Sequence, residues 1–215
     1  EQLAIPKHRM LSLLTALRFH FYSMGREYSK QRKLIVFGLF LTIYTLSALV
    51  GYSASGLLFP ALIWPAAGIA LGVLFLGGIN LWPAIFIGAL AASLFQGVPL
   101  GAAILLAIGI TIENIVGAYI LLKTNFSPLL GSLRDVILLI LVSAGISIIG
   151  PLFGAFGLYF SGVPLITLEL YLGPWWLVKT LSHLVLSGFI FRWFVRWPRW
   201  RKPERFERQE TARPQ

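Results

Sequence analysis

A carboxylate, an ammonium and an imidazole stand inside stretches otherwise built from Leu, Ile, Val, Ala and Gly. Glu113 lies deep in the apolar run Leu100–Leu122, with Thr111 and Asn114 beside it. Lys179 lies inside the run Leu168–Phe191; His183 follows one helical turn later, with Thr180 and Ser187 near the same face. An ionised acid near mid-bilayer costs roughly 2.5–3.5 kcal/mol on insertion scales, so it turns into a bundle interior and finds a partner. Lys179 is the candidate partner. Glu113 comes thirteen positions after Leu100 and Lys179 eleven after Leu168. If both helices enter from the same side, at about 1.5 Å per residue their depths agree within roughly one turn. Two readings follow for Glu113, Asn114, Thr111 and Lys179: a polar membrane site for a ligand, proton or ion, or a structural ion pair or hydrogen-bonded neutral acid. His183 is either a packed, hydrogen-bonded histidine or a ligand for haem or a pigment. No second transmembrane histidine is present for bis-histidine haem ligation, and no cofactor is required by the sequence.

Other chemistries lack their residues. The sequence has no cysteine, which excludes thiolate catalysis, iron–sulfur ligation and Cys-type zinc sites. HExxH, P-loop and G-x-S-x-G motifs are absent, and the apolar runs hold no carboxylates paired one turn apart. No metal site is expected, and the chain reads as non-enzymatic. Asp135, beside Arg134 at the start of an apolar run, reads as an anchor. The aromatic residues Trp64, Trp82, Trp175, Trp176, Trp193 and Trp197 fall near the ends of apolar runs, as interfacial anchors do.

The elements that must position these groups are membrane helices. Of 215 residues 57% are hydrophobic and only 12% charged, about half the charge of a soluble domain. The net charge of +10 is confined to the ends. All Lys and Arg except Lys123, Arg134 and Lys179 lie within the first 33 residues or from Arg192 onward. Basic clusters flanking an apolar body mark cytoplasmic ends against an anionic inner leaflet; no aromatic-interleaved soluble module suggests nucleic acid. Residues 1–33 carry Leu11, Leu14, Leu17 and Phe21 on one face of an interfacial amphipathic helix and lack a signal-peptide pattern. The start at Glu1 suggests a processed or partial chain.

Spans are expected at about 34–54, 59–76, 81–95, 100–122, 133–160 and 168–191. Gly150-Pro151 interrupts the fifth. As a loop it would leave a fragment too short to cross; as a kink it leaves one long broken helix. Two basic ends on one side demand an even count. The expectation is an all-α polytopic bundle of six transmembrane helices in residues 34–191, followed by a basic cytoplasmic tail, 192–215. The setting is a bacterial inner membrane, with both termini cytoplasmic. Trp64-Pro65 and Trp82-Pro83 read as helix starts, since proline fits the first turn. Gly68/Gly72, Gly97/Gly101 and Gly150/Gly154 read as close helix contacts inside the bundle, with a dimer face as the alternative.

Three segments carry a resemblance: IWPAAGIALGVLFLGG (Ile63–Gly78), LWPAIFIGALAASLFQG (Leu81–Gly97) and TIENIVGAYILLK (Thr111–Lys123). With Leu133–Val136 and the Trp175-Trp176 pair, the chain over about 59–186 resembles the bacterial membrane-associated sensor domain family of the first MASE type. The resemblance implies a sensory input module and maps the family's helix acid onto Glu113. It also implies an output, a histidine kinase or cyclic-di-GMP enzyme, joined to such modules; here it would be clipped away or supplied by a partner. Leu177-Val178-Lys179-Thr180 stands where the family carries a Gly-Asp-Ala-like segment, and a basic tail stands where it continues with about two more spans. Two other functions stay open: a non-enzymatic accessory or scaffold subunit of a larger membrane complex, pigment-bearing or electron-transferring, and a small transporter.

Overall fold

The computed structural model describes residues 30–53 and 64–196. The interfacial helix expected before Lys30, the 59–63 start of the second span, and Trp197 with the basic tail lie outside the described residues. Among the described residues all regular structure is helical: α1 (Lys30–Ser53), α2 (Pro65–Gly77), α3 (Trp82–Phe95, entered through a 3-10 turn), α4 (Leu100–Lys123), α5 (Leu133–Ile146), α6 (Ile149–Phe160), α7 (Leu165–Ser182) and α8 (Gly188–Arg196). A π-type turn, His183–Ser187, joins α7 to α8. Three stretches are long and apolar enough to cross a membrane: Lys33–Tyr52, Leu100–Lys123 and Leu133–Phe160 taken through its break. The helices α2 and α3 are apolar but short, with 13 and 14 residues.

Local sequence sets the helix ends. Pro65 and Pro83 sit in the first turns of α2 and α3, where a missing N–H costs no helix bond. The Ser132 hydroxyl caps α5 by accepting from the Asp135 N–H, and it donates back to Asp135 Oδ2 at 2.6 Å. The other Asp135 oxygen accepts from the Ser127 N–H, and Arg134 bonds the Thr124 carbonyl, so the 124–132 connection is clamped at both ends. Asp135 is a structural acid. Replacing Ser132 with Ala removes both of its bonds to Asp135 and is expected to cost about 1–2 kcal/mol, measured as a lower unfolding midpoint in detergent.

The core is organised around α4, which packs on α2, α3, α5 and, most extensively, α6. Its buried residues cover most of its circumference, from Ala102 to Leu121. By contrast α1 leans on α3 and α2 and turns Leu34, Leu39, Ile43, Leu46 and Val50 outward. A continuous apolar exterior over a small-residue interior is what lipid as solvent requires. At the far end of α2, Phe75 meets Phe126 and Phe191 edge-on or tilted, at centroid separations of 5.0–5.4 Å. This cluster fixes α8 against α2 and the 124–132 connection.

Three sequence expectations need correction. The fifth span is broken at Ser147–Ile148, upstream of Gly150-Pro151. The proline ring conflicts with the carbonyl four residues back, at Ser147, and offers it no N–H, so the disruption falls there and Pro151 occupies the first turn of α6. Ser147 and Ile148 keep right-handed dihedrals, so this is a kink and not a loop. The last helical stretch is longer than 168–191, running from Leu165 to Arg196 through the π-type turn. The Gly97/Gly101 pair is no helix contact: Gly97 has φ +78 in the turn after α3, and added methyls at both positions would meet open space. Gly68 and Gly150 are true close approaches. A methyl on Gly68 would strike the Ser182 carbonyl and Leu186.

A buried polar cluster at the helix break

Glu113 and Asn114 project from the middle of α4 and are both 0% exposed. The Lys179 Nζ reaches Glu113 Oε2 from α7 at 2.6 Å and is itself buried. The same oxygen accepts the backbone N–H of Gly150 at 2.9 Å. That N–H is in the first turn of α6, where a helix leaves its donors without intrahelical partners. The break required by Pro151 therefore supplies a donor to a buried carboxylate. A Cβ at position 150 would collide with Glu113 Oε2 and Lys179 Nζ, so any side chain there must displace the pair.

His183 completes the junction. Its Nδ1 lies 2.9 Å from the Ser147 hydroxyl, on the break itself. Its Nε2 faces two oxygens, Asn114 Oδ1 and Glu113 Oε1, each at 3.4 Å. With two acceptors ahead of it, Nε2 carries the hydrogen, and Nδ1 accepts from Ser147. Both ring nitrogens are thus directed at protein groups, and the ring is fully buried. The Ser187 hydroxyl bonds the His183 carbonyl within the π-type turn. Among the described residues no three His, Cys, Asp or Glu side chains gather as metal ligands.

The remaining sequence candidates divide. Thr111 stays outside the cluster, its hydroxyl bonded to the Ala107 carbonyl of its own helix at 2.7 Å. Trp64 is half-buried, its ring edge-on to Tyr52 at 4.8 Å and its backbone N–H on Ser182 Oγ at 2.6 Å. Trp175 is half-buried against Gly154. Trp176 donates its indole N–H to the Ala144 carbonyl at 2.8 Å, tying α7 to α5. Trp82 and Trp193 are exposed, and Trp193 stacks on Phe189. Sequence reasoning missed Ser147, the Gly150 N–H and the π-type turn. The only sequence signal for the first two was a pair of serines, Ser143 and Ser147, just before a Gly-Pro in an apolar run.

Chemically, hydroxyl, imidazole and carboxylate stand in a row, with an ammonium on the carboxylate. Ser147 is fully buried and the nearby Gly150 N–H is already committed to Glu113, so the row can hold or move a proton.

Among the described residues, apolar helices long enough to cross a bilayer and an acid–ammonium pair buried between helices mark a membrane protein. The chain belongs to the MASE1 family, a family of membrane-associated sensor domains, whose model matches residues 25–215. Comparison with curated proteins and with solved structures gave no match.

Proposed function

We propose that this chain is a sensory input module of a bacterial inner membrane, without catalysis of its own. It crosses six times with both basic ends in the cytoplasm, and acts on an output domain or a separate membrane or cytoplasmic partner. The observation that carries this reading is the junction at Glu113. One carboxylate on α4 is bound to α6 through Gly150 and to α7 through Lys179, and it faces the π-type turn through His183. Two helix irregularities, the break and the π-type turn, are joined there by the Ser147–His183 bond. Such irregularities recur at functional sites, and in lipid they persist only where other groups satisfy the backbone. The last helix leaves this junction toward the C-terminal end, so any rearrangement of the cluster is carried along α8.

The six crossings are supported by the charge distribution and by α2 and α3, whose ~20 Å lengths at about 1.5 Å per residue suit a thinned or protein-lined path. With no native cysteine, single-cysteine variants report topology cleanly. Gln96→Cys and Ser161→Cys are expected to react with a membrane-impermeant maleimide in intact spheroplasts. Asn80→Cys and Gly131→Cys are expected to react only after permeabilisation. The reverse pattern would overturn the orientation, and a mixed one the count.

For sensing, spin labels at Tyr119→Cys on α4 and Arg192→Cys on α8 measure the coupling directly. Glu113→Gln is expected to shift their distance distribution in bilayers. An unchanged distribution in a folded variant favours the scaffold-subunit reading, which draws on the mutual neutralisation of Glu113 and Lys179 inside one chain.

A further inference from the structure

We infer that the π-type turn is a rotary switch: it stores one extra residue, and release of His183 lets it close into α-helix and turn α8 about its axis. This deepens the sensory reading of the Glu113 junction and rests on it.

Burial along the last two helices reveals the extra residue. Lys179, His183, Ser187 and Phe191 are all buried, each four positions after the one before. In an unbroken α-helix a step of four residues drifts by about 40°, so three steps carry the buried side round by about 120°. Phe191 would then lie on the flank. Instead it is 0% exposed and packs edge-on or tilted against Phe75 and Phe126. One residue absorbed by a widened turn removes about 100° of drift and leaves about 20°, so all four side chains share one side. The π-type turn His183–Ser187 is where that residue is absorbed.

Contacts anchor both halves of the helix around the turn. Before it, Lys179 holds Glu113 and His183 holds Ser147. After it, Phe191 sits in the aromatic cluster and Ile190 lies against Gly72. At the turn, the missing side chain of Gly68 makes room for the widened backbone: a methyl there would reach the Ser182 carbonyl, Leu186 Cβ and the Ser187 nitrogen. When His183 is released, closing the turn rotates α8 by about 100° relative to α7. Leu186 then takes the place of Ser187, and Ile190 that of Phe191. Both are apolar and already half-buried, so the interior accepts either phase. On the lipid side Leu184 and Gly188 take the places of Val185 and Phe189, which are 54% and 62% exposed. Two discrete packings of one segment are what a two-state element requires.

The test is oxygen accessibility by spin-label EPR on the full chain in lipid bilayers, with single labels at Leu184→Cys, Val185→Cys, Gly188→Cys and Phe189→Cys. With the junction intact, the maxima are expected at the Val185 and Phe189 positions. In Glu113→Gln they are expected to move to the Leu184 and Gly188 positions. Ser147→Ala, which frees His183 Nδ1 and keeps the ion pair, is expected to move them likewise. Maxima that stay in place in both variants would overturn the switch. If the distance between the Tyr119 and Arg192 labels still shifts in Glu113→Gln, the sensory reading survives without it; if neither changes, both fall. Should Glu113→Gln fail to fold, Ser147→Ala decides alone. Deleting Val185 tests the extra residue without reference to sensing. That deletion is expected to leave the unfolding midpoint close to wild type, whereas deleting Leu177 within α7 lowers it. A loss from the first deletion as large as from the second would overturn the assignment of an extra residue.

Discussion

Lys179→Ala is expected to lower stability by about 3–5 kcal/mol, the usual cost of removing one partner from a buried ion pair. The carboxylate left behind is 0% exposed and keeps only the Gly150 N–H on the oxygen that Lys179 had bonded. The ammonium stem also fills space, so Lys179→Met separates the two contributions: it retains most of the apolar volume and loses the charge. The Met variant is expected to recover only the packing part of the loss. On a Glu113→Gln background the same Lys179→Met change is expected to cost little, because an amide and a thioether leave no unpaired charge. Unfolding of wild type, both single variants and the double variant in a mild detergent closes the cycle. A coupling above about 1 kcal/mol supports direct contact, while additive losses would mean that the two groups do not act on each other.

The acid–ammonium contact was legible in the sequence because lipid makes it nearly compulsory. A charge inside an apolar helix must find an opposite charge, and equal depth from the same side left Lys179 as the partner of Glu113. Trp64-Pro65 and Trp82-Pro83 were legible as helix starts, because proline tolerates few other positions in a helix. The three segments shared with the sensor family pointed to the membership that the match over residues 25–215 shows. What stayed hidden depends on groups that have several uses. A serine in an apolar run most simply bonds its own helix, as Thr42 and Thr111 do, so nothing marked Ser147 as the partner of His183. The Gly150 N–H is backbone, and becomes a donor to Glu113 only because the break falls upstream of Pro151. The π-type turn has no signature in His-Leu-Val-Leu-Ser. Thr111 looked like a site residue because it neighbours Glu113, but residues two apart on a helix do not share a face.

Gly150→Ala is the sharpest probe of whether the break serves the carboxylate. Alanine is favoured over glycine inside a helix by up to about 1 kcal/mol, so propensity alone predicts a gain. Gly145, in the same broken span, shows that case: a methyl there meets nothing within 4 Å, and Gly145→Ala is expected to be neutral or stabilising by about 0.5–1 kcal/mol. At position 150 the methyl would collide with Glu113 Oε2 and Lys179 Nζ, atoms that are bonded to each other and cannot retreat separately. The expected result is a loss of about 1–3 kcal/mol, the range for overpacking a well-filled site. Glu113→Ala removes one colliding group, so Gly150→Ala placed on that background is expected to cost distinctly less. The next atom in reach of the methyl, on Ile110, stands at ordinary van der Waals distance and offers no comparable obstacle. An equal loss on both backgrounds would place the resistance elsewhere in the α4–α6 seam. A gain at both glycines would mean that the carboxylate does not depend on the proximity of the Gly150 backbone.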